Sequence, residues 1–274
     1  MSQDDLDRRN ASFWSEPCGT ASATNLRLDL TQPDELNRYD EWYFNFYSYL
    51  KPYLKQVISK EDQTLEVGIG LGTVSRYLAL NVKELDIVDI APQAIDFTRN
   101  SMSESNNVNF FCESILKFEP RHQYNSIIAI GSLHHTGQLE EALKKLEGYL
   151  TPGGKILVMV YNAFHPRKIL HSPVQTLLNF YKSSFSKNRV YVFPENNINL
   201  RKKADANSAG EAAPETVLSS RKFFLTRSDV IYNVELNNTH GFPFSDGRIG
   251  REFLLRNFTK FLGCDIYAIG IKAQ

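Results

Sequence analysis

The chain has 274 residues, of which 42% are hydrophobic and 23% are charged, a balance typical of a globular protein with a sizeable core. It excludes a wholly disordered chain and a collagen-like repeat. Because 31 basic and 31 acidic residues give a formal net charge of zero, the chain as a whole has no electrostatic attraction for nucleic acid or for an anionic membrane.

The first residues are polar and acidic, with neither the basic nor the apolar region of a secretory signal. No apolar run reaches the roughly 18 residues of a membrane-spanning helix. The three cysteines, Cys18, Cys112 and Cys264, are widely spaced and form no C-x-x-C pair, which argues against a disulfide framework or a thiolate metal site. We therefore expect a cytoplasmic protein with reduced thiols and no membrane partner.

An aromatic-rich segment begins the series of predicted elements. Between residues 31 and 54, aromatic and apolar residues recur at spacings of three and four after Pro33, which predicts an amphipathic helix. Its aromatic stripe runs from Tyr39 to Tyr49. Such a stripe is more often packed in a core, and the alternative is that it roofs a ligand cavity.

Short apolar runs alternate with segments of helical spacing from residue 64 to residue 161. The runs predict strands at 64–68, 85–90, 108–112, 126–131 and 155–161. The segments between them predict crossover helices at 74–80, 91–102 and 139–150. This alternation predicts a parallel, doubly wound sheet covered by helices on both faces.

After Tyr161 the pattern changes, since Pro166, Pro173 and Pro194 interrupt the chain and small residues dominate 204–214, as in a mobile loop. Strands at 230–236 and 265–271, with a helix at 251–262, are predicted to complete the sheet at its edge. The predicted fold is α/β, a mostly parallel, seven-stranded, Rossmann-like sheet. Its predicted parts are an N-terminal helical segment (1–55), a cofactor-binding core (56–161), an inserted lid (162–220) and C-terminal elements (221–274).

The first predicted strand ends in three alternating glycines, Gly68, Gly70 and Gly72. In an open parallel sheet the ligand crevice lies at the carboxyl ends of the strands. Glycines there let the backbone turn tightly and approach a ligand closely. Glycines alone, however, also fit a simple strand-to-helix turn.

Asp89 ends the second predicted strand, 21 residues after Gly68, a spacing at which a carboxylate accepts hydrogen bonds from ribose hydroxyls. The alternative is a helix cap, because Ala91 and Pro92 follow at once. Since the glycine turn and the carboxylate occur together, we favour an adenosine-containing cofactor. The dinucleotide fingerprint needs its third glycine at position 73, which is threonine. The carboxylate of Glu66 would attract a cationic cofactor, whereas it would repel a cofactor that carries a pyrophosphate.

The run from Leu65 to Thr73 resembles the first motif of the class I S-adenosylmethionine-dependent methyltransferases, in which an acidic residue precedes G-x-G-x-G. The resemblance covers about residues 60 to 161. It continues with Asp89, with Phe111-Cys-Glu-Ser, with the run from Tyr124 to a Leu-His-His ending, and with Leu150-Thr-Pro-Gly-Gly-Lys. Asn125 and Cys112 depart from the family, which often has Asp and Gly there.

The resemblance implies S-adenosyl-L-methionine as the cofactor. It places the three glycines along the methionine portion, Glu66 near the amino group and Glu113 beside the adenine. The predicted cofactor-binding residues are Glu66, Gly68, Gly70, Gly72, Asp89, Ile90, Glu113, Ser114 and Gly131.

His134 and His135 follow the fourth predicted strand, at the rim where a methyl acceptor meets the cofactor. They are the predicted catalytic residues, because an imidazole can deprotonate a hydroxyl near neutral pH. The alternative is a polar pair that orients a loop. No metal is expected, since adjacent side chains are expected to diverge and no helical H-x-x-x-H pattern is present. Ser132 with His135 suggests a hydrolase, but the G-x-S-x-G elbow is missing.

Tyr161, Asn162 and Arg167 are the predicted acceptor-binding residues. The first two follow the fifth strand and fit a strand-end cap equally well. Between residues 166 and 203 the charged residues are basic except Glu195, which favours an acceptor carrying a carboxylate or phosphate. The alternative is a solvated or internally packed face.

The sequence therefore predicts transfer of a methyl group to an oxygen or nitrogen of a small-molecule acceptor, with an anionic acceptor favoured. A nicotinamide-dependent reductase on a similar sheet and a non-catalytic binding module for the same cofactor are the alternatives. Nucleic acid is not an expected partner, and the sequence does not indicate the oligomeric state.

Overall fold

A computed structural model of the protein describes residues 1–165, 205–238 and 263–274, together with single residues and short runs between these ranges. The strands in the described part are β1 (Gln63–Val67), β2 (Glu84–Asp89), β3 (Val108–Cys112), β4 (Tyr124–Ile130), β5 (Leu150–Tyr161), β6 (Val190–Val192), β7 (Val217–Ser219), β8 (Val230–Asn237) and β9 (Asp265–Lys272). The helices are α1 (Gln3–Phe13), α2 (Thr20–Asn25), α3 (Pro33–Phe46), α4 (Leu50–Val57), α5 (Thr73–Ala79), α6 (Pro92–Ser101), α7 (Leu139–Tyr149) and α8 (Arg221–Leu225).

Seven of these strands form one sheet in the order β3-β2-β1-β4-β5-β9-β8. The first five are parallel, whereas β9 is antiparallel to both β5 and β8. The strand order reverses between β1 and β4, which is where ligands bind in sheets of this kind. The predicted α/β, seven-stranded, mostly parallel sheet is confirmed.

The central strands are buried because helices cover both faces of the sheet. Leu65 and Ile127 belong to one apolar cluster and Ile87 and Leu157 to another, and all four side chains are fully buried. Strands that are covered on both sides need apolar residues at nearly every position. The runs that predicted the strands therefore reflect their burial.

The aromatic segment after Pro33 forms two helices, α3 and α4, where we expected one. Helix α3 ends at Phe46, and the next residue, Tyr47, has a φ of −103° and a ψ of 59°, which are not helical. Beyond this break, Tyr49 and Tyr53 pack on Tyr267 of β9, with ring centroids 5.3 and 5.1 Å apart. The turn lets α3 face the point between β1 and β4 where the strand order reverses, while α4 packs against β5 and β9.

Helices α1 and α2 lie within the N-terminal segment predicted to be helical (1–55), but neither helix was predicted individually. Both are short and polar, and α2 has the sequence Thr-Ala-Ser-Ala-Thr-Asn, which carries no apolar periodicity.

Both C-terminal strand predictions are confirmed, by β8 and β9. The helix predicted at 251–262 lies mainly outside the described residues, although Phe253, Leu255, Asn257 and Thr259 are helical. The lid predicted at 162–220 is described only in part. Within the described part of the chain, no helix has both the length and the apolar character that a membrane span requires.

Candidate active site

A cavity of about 310 Å³ lies at the carboxyl ends of β1, β2, β4 and β5, beneath helices α1 to α3. Its volume is in the range of small-molecule binding sites. The sheet supplies one wall, through the turns that follow its strands, and the N-terminal helices supply the other. The cavity therefore lies at the reversal of strand order, as predicted for the ligand crevice.

The glycine turn after β1 has a backbone that other residues rarely adopt, with φ of 78° at Gly68, 52° at Gly70 and 72° at Gly72. A Cβ at Gly68 would lie 2.2 Å from the Cβ of Ser132, and one at Gly70 would lie 2.8 Å from the carbonyl oxygen of Cys18. Gly68 and Gly70 line the cavity. Gly72 does not contribute to the described lining, and it begins α5 in close contact with Thr98.

Asp89 lines the cavity and also holds the glycine turn. Its Oδ2 accepts a hydrogen bond from the Ile69 N–H, and its Oδ1 accepts one from the Ala91 N–H, both at 2.8 Å. Burial raises the pKa of the Asp89 carboxyl, and these backbone hydrogen bonds oppose that shift. A carboxylate offers about four lone-pair sites, and the backbone hydrogen bonds from Ile69, Ala91 and Ile90 leave capacity for a ligand, so the helix-cap alternative and a ribose-binding role are compatible.

Glu66 is 3% exposed and borders the same cavity. Within the described residues, its Oε2 has no hydrogen-bond partner. Burial raises the pKa of the Glu66 carboxyl to about 8, and the nearby Asp89 adds to the shift. A buried carboxyl beside a cavity, with one oxygen unpaired, is suited to a cationic hydrogen-bond donor such as an amino group.

Four further residues of the predicted cofactor set also line the cavity: Ile90, Glu113, Ser114 and Gly131. They follow three different strands, and the parallel topology brings them to one edge of the sheet. The geometry therefore gathers all of the predicted cofactor residues except Gly72 around one cavity.

The histidine pair lies on a short 3-10 turn, Leu133–His135, that follows β4. His135 lines the cavity, and its Nδ1 lies 2.8 Å from the carbonyl oxygen of Glu215. His134 is fully buried behind it, and burial lowers its pKa well below the ordinary value. The Asn10 side chain donates a hydrogen bond to the His135 carbonyl, which ties α1 to this turn.

The predicted acceptor-binding residues have different positions. Tyr161 lines the cavity and its hydroxyl donates to Oδ1 of Asp205 at 2.8 Å. Asn162 is buried outside the described lining, where it donates to the Gly263 carbonyl and accepts from the Phe164 N–H. These contacts match the strand-end alternative. Arg167 lies outside the described residues.

Several residues of the cavity wall were missed by sequence reasoning. Asp205 comes from the stretch interpreted as a loop, and Trp14 ends α1 with its ring 4.9 Å from that of His135. The aromatic stripe of α3 was the one available signal, although we favoured a core role for it. The stripe residues that line the cavity are Tyr39, Trp42, Tyr43 and Tyr47.

The described lining is acidic. It contains five carboxylates and neither lysine nor arginine among the described residues. The carboxylates are Asp7, Glu66, Asp89, Glu113 and Asp205. A cavity wall of this charge favours cationic or neutral ligands over anions.

Residues 65–156 match a family model described as a methyltransferase domain. Nodulation protein S of Rhizobium tropici is 28% identical over 96 residues, which cover 34% of this chain and 40% of that protein. Malonyl-[acyl-carrier protein] O-methyltransferase 1 of Ilyobacter polytropus is 26% identical over 99 residues, which cover 35% and 37%. The chain thus spans less than half of the length of these curated relatives.

Two solved structures share the fold over most of both chains. The complex of DhpI with S-adenosylhomocysteine covers 100% of this chain and 99% of its own, at 12% identity and a TM-score of 0.54. An S-adenosylmethionine-dependent methyltransferase from Methanosarcina mazei covers 81% and 97%, at 13% identity and a TM-score of 0.51. Residues 65–156 therefore resemble a methyltransferase domain, and the described fold of the chain resembles that of these two structures.

Proposed function

We propose that this chain is an S-adenosylmethionine-dependent methyltransferase that methylates an oxygen or nitrogen of a small-molecule acceptor. One observation carries the proposal. A single cavity is bordered at the switch point by the glycine turn, Glu66 and Asp89, and further along by His135, Tyr161 and Asp205. Methyl transfer needs donor and acceptor in one enclosed space, so that the reacting atoms are held in line.

The cofactor end fits its proposed ligand in shape and charge. The turn at Gly68 and Gly70 leaves no room for side chains and brings backbone close to the ligand. The unpaired Oε2 of Glu66 would accept a hydrogen bond from the cofactor's amino group, and the free lone pairs of Asp89 would accept hydrogen bonds from the ribose hydroxyls. Glu113 and Ser114 would lie beside the adenine.

When bound, S-adenosylmethionine supplies an electrophilic methyl group on a cationic sulfur. An acceptor's lone pair would form the new bond to that methyl carbon as the carbon–sulfur bond breaks, with the bonding electron pair left on sulfur. The proton of the acceptor passes to a base or to water. His135 is the described imidazole that lines the cavity and can take this proton, whereas His134 lies behind it.

The described residues that line the cavity include five carboxylates and no lysine or arginine. This charge supports an acceptor that is neutral or cationic at its reacting end, such as an amine or an alcohol. The prediction of an anionic acceptor depends on Arg167 and its basic neighbours, which the structure does not describe. Carboxylate acceptors test that prediction directly.

The reductase alternative is not supported by the cavity. The Glu66 carboxyl, when ionised, would repel the pyrophosphate of a dinucleotide.

Calorimetry with S-adenosylhomocysteine and with NAD tests the cofactor. We expect saturable binding of the former alone, and binding of NAD alone would overturn the proposal. A second assay follows transfer of labelled methyl from S-adenosylmethionine to matched amines, alcohols and carboxylates of similar size. We expect turnover with amines or alcohols, and turnover of carboxylates alone would restore the anionic prediction.

A further inference from the structure

We propose that His134, His135 and Asp205 form a binding site for a divalent transition-metal ion of the zinc class at the acceptor end of the cavity. One ring nitrogen of each histidine and one carboxylate oxygen of Asp205 lie within 4.8 Å of one another. The two adjacent rings were expected to diverge, yet on the 3-10 turn their centroids are only 4.2 Å apart. The site itself does not depend on the proposed function.

The hydrogen bonding of His135 prepares it for a cation. Its Nδ1 lies 2.8 Å from the Glu215 carbonyl oxygen, which can only accept, so Nδ1 carries the proton. In the neutral ring Nε2 then presents a lone pair towards Oδ2 of Asp205, 3.7 Å away. Two acceptors that face each other are mutually unfavourable unless a cation lies between them. A carbonyl that fixes the tautomer from the far side of the ring is the usual arrangement around metal-bound histidines.

His134 has the same need for a partner. It is fully buried, and neither ring nitrogen has a hydrogen-bond partner within the described part of the chain. A buried polar atom without a partner costs about 1–3 kcal/mol. At least one nitrogen of the neutral ring carries a lone pair, and a metal ion at this position would satisfy it.

Asp205 completes the set. Its Oδ1 accepts a hydrogen bond from the Tyr161 hydroxyl at 2.8 Å, and its Oδ2 is buried without a hydrogen-bond partner in the residues described. The tyrosine therefore fixes the carboxylate with the free oxygen directed to the histidines. This is the outer contact expected for a ligating carboxylate.

Two imidazoles and one carboxylate are the protein ligands of many catalytic zinc sites, which leave one position for water or substrate. Ligand atoms in such a tetrahedral site lie about 3.4 Å apart, so the 3.7 Å separation of His135 and Asp205 requires little movement. Nitrogen ligands disfavour Mg²⁺ and Ca²⁺, which prefer oxygen. Because His135 and Asp205 line the cavity, the open position would face the acceptor. If the proposed function holds, the ion would there bind an acceptor hydroxyl or amine and promote its deprotonation, and the proton would pass to water because His135 would then be a ligand and not the base.

The test uses protein freed of metal by chelation and dialysis, titrated with ZnCl₂ by calorimetry and with CoCl₂ by visible absorption. We expect one ion per chain and a Co²⁺ spectrum typical of four-coordinate nitrogen and oxygen ligands. Asp205→Asn and His134→Gln should weaken Zn²⁺ binding by about 100-fold or more, and Tyr161→Phe by about 10–100-fold.

His122→Gln is the matched control, because that ring packs against Tyr124 and does not line the cavity in the described structure. It should bind Zn²⁺ as the wild type does. Absence of stoichiometric binding, or equal affinity in the wild type and Asp205→Asn, would overturn the metal site. Asp205→Asn serves as the test if the buried His134→Gln variant fails to fold. Binding of S-adenosylhomocysteine to the same samples, measured separately, shows whether the proposed function fails independently.

Discussion

The Asp89 carboxylate accepts a hydrogen bond from the backbone N–H of Ile69 at 2.8 Å, so the last residue of β2 holds the glycine turn that follows β1. The same carboxylate accepts a hydrogen bond from the backbone N–H of Ala91, the residue that precedes α6. One side chain thus fixes two backbone segments that border the cavity. The shape of the cavity wall formed by the glycine turn and the start of α6 therefore depends on this carboxylate, even without a ligand.

We expect Asp89→Asn to weaken the affinity for S-adenosylhomocysteine by about 10- to 100-fold, as loss of hydrogen bonds to a charged group implies. The amide places an NH₂ group where the carboxylate accepts from a backbone N–H. Calorimetry measures the change. Asp229→Asn, at an exposed site before β8, is the control and should leave affinity unchanged. Equal affinities in the two variants would contradict a cofactor role for Asp89.

Glu66 should make the stability of the free protein depend on pH. Burial raises the pKa of this carboxyl from 4.5 to about 8, so between these values the folded state binds more protons than the unfolded state. The free energy of unfolding therefore falls as pH rises through this window, by an amount on the order of 5 kcal/mol in full. Glu66→Gln removes this contribution. Urea denaturation at pH 6 and pH 8.5 should show a smaller pH effect in the variant, and identical pH effects would contradict the argument.

Cofactor binding near neutral pH should release a proton from Glu66. At pH 7 the free carboxyl is mostly protonated, and a cationic amino group placed against it favours the ionised form. Calorimetry of S-adenosylhomocysteine in buffers of different ionisation enthalpy measures the release. We expect a value approaching one proton for the wild type and a clearly smaller value for Glu66→Gln.

Two glycine substitutions should have opposite effects. Gly68→Ala puts a Cβ 2.2 Å from that of Ser132 at a φ of 78°, so we expect a loss of several kcal/mol in stability and of measurable cofactor binding. In Gly148→Ala, a Cβ in α7 meets nothing within 4 Å, and the better helix propensity of alanine should stabilise the protein by about 0.5–1 kcal/mol. Thermal denaturation of both variants checks the signs.

The ion pair that fastens α3 to α5 should contribute far more than an exposed pair. The Arg76 guanidinium donates to both oxygens of Asp40 at 2.6 Å, with side chains 14% and 17% exposed. We expect Asp40→Asn to cost about 2 kcal/mol, less than for a fully buried pair. Asp96→Asn, which breaks an exposed pair with Arg99, should cost less than about 1 kcal/mol. Equal losses in chemical denaturation would contradict this ranking.

The sheet and the glycine turn that follows β1 could be predicted because their signals are local. Strands buried on both faces are continuous apolar runs, and the turn at Gly68 needs glycine for reasons of backbone conformation alone. The acceptor end could not be predicted in the same way. Asp205 meets Tyr161 across 44 positions of sequence, and nothing near either residue indicates the contact. The sequence left both roles of Asn162 open for the same reason, since its position after β5 does not reveal whether its amide faces a ligand or the chain itself.

Strand β9 lies between β5 and β8 although it follows both in the chain. Tyr161 of β5 and Asn237 of β8 therefore pair with the same residue, Asp265. Before β9 has been added to the sheet, the edge of β5 has no partner strand and β8 has no strand of the main sheet to pair with. During synthesis the five parallel strands, β1 to β5, can form their part of the sheet first. The edge made by β9 and β8 can form only after residues 265–272 have left the ribosome. A truncation before β9 would remove that strand and leave β8 without a partner in the main sheet. It would also expose the edge of β5 to pairing with other molecules.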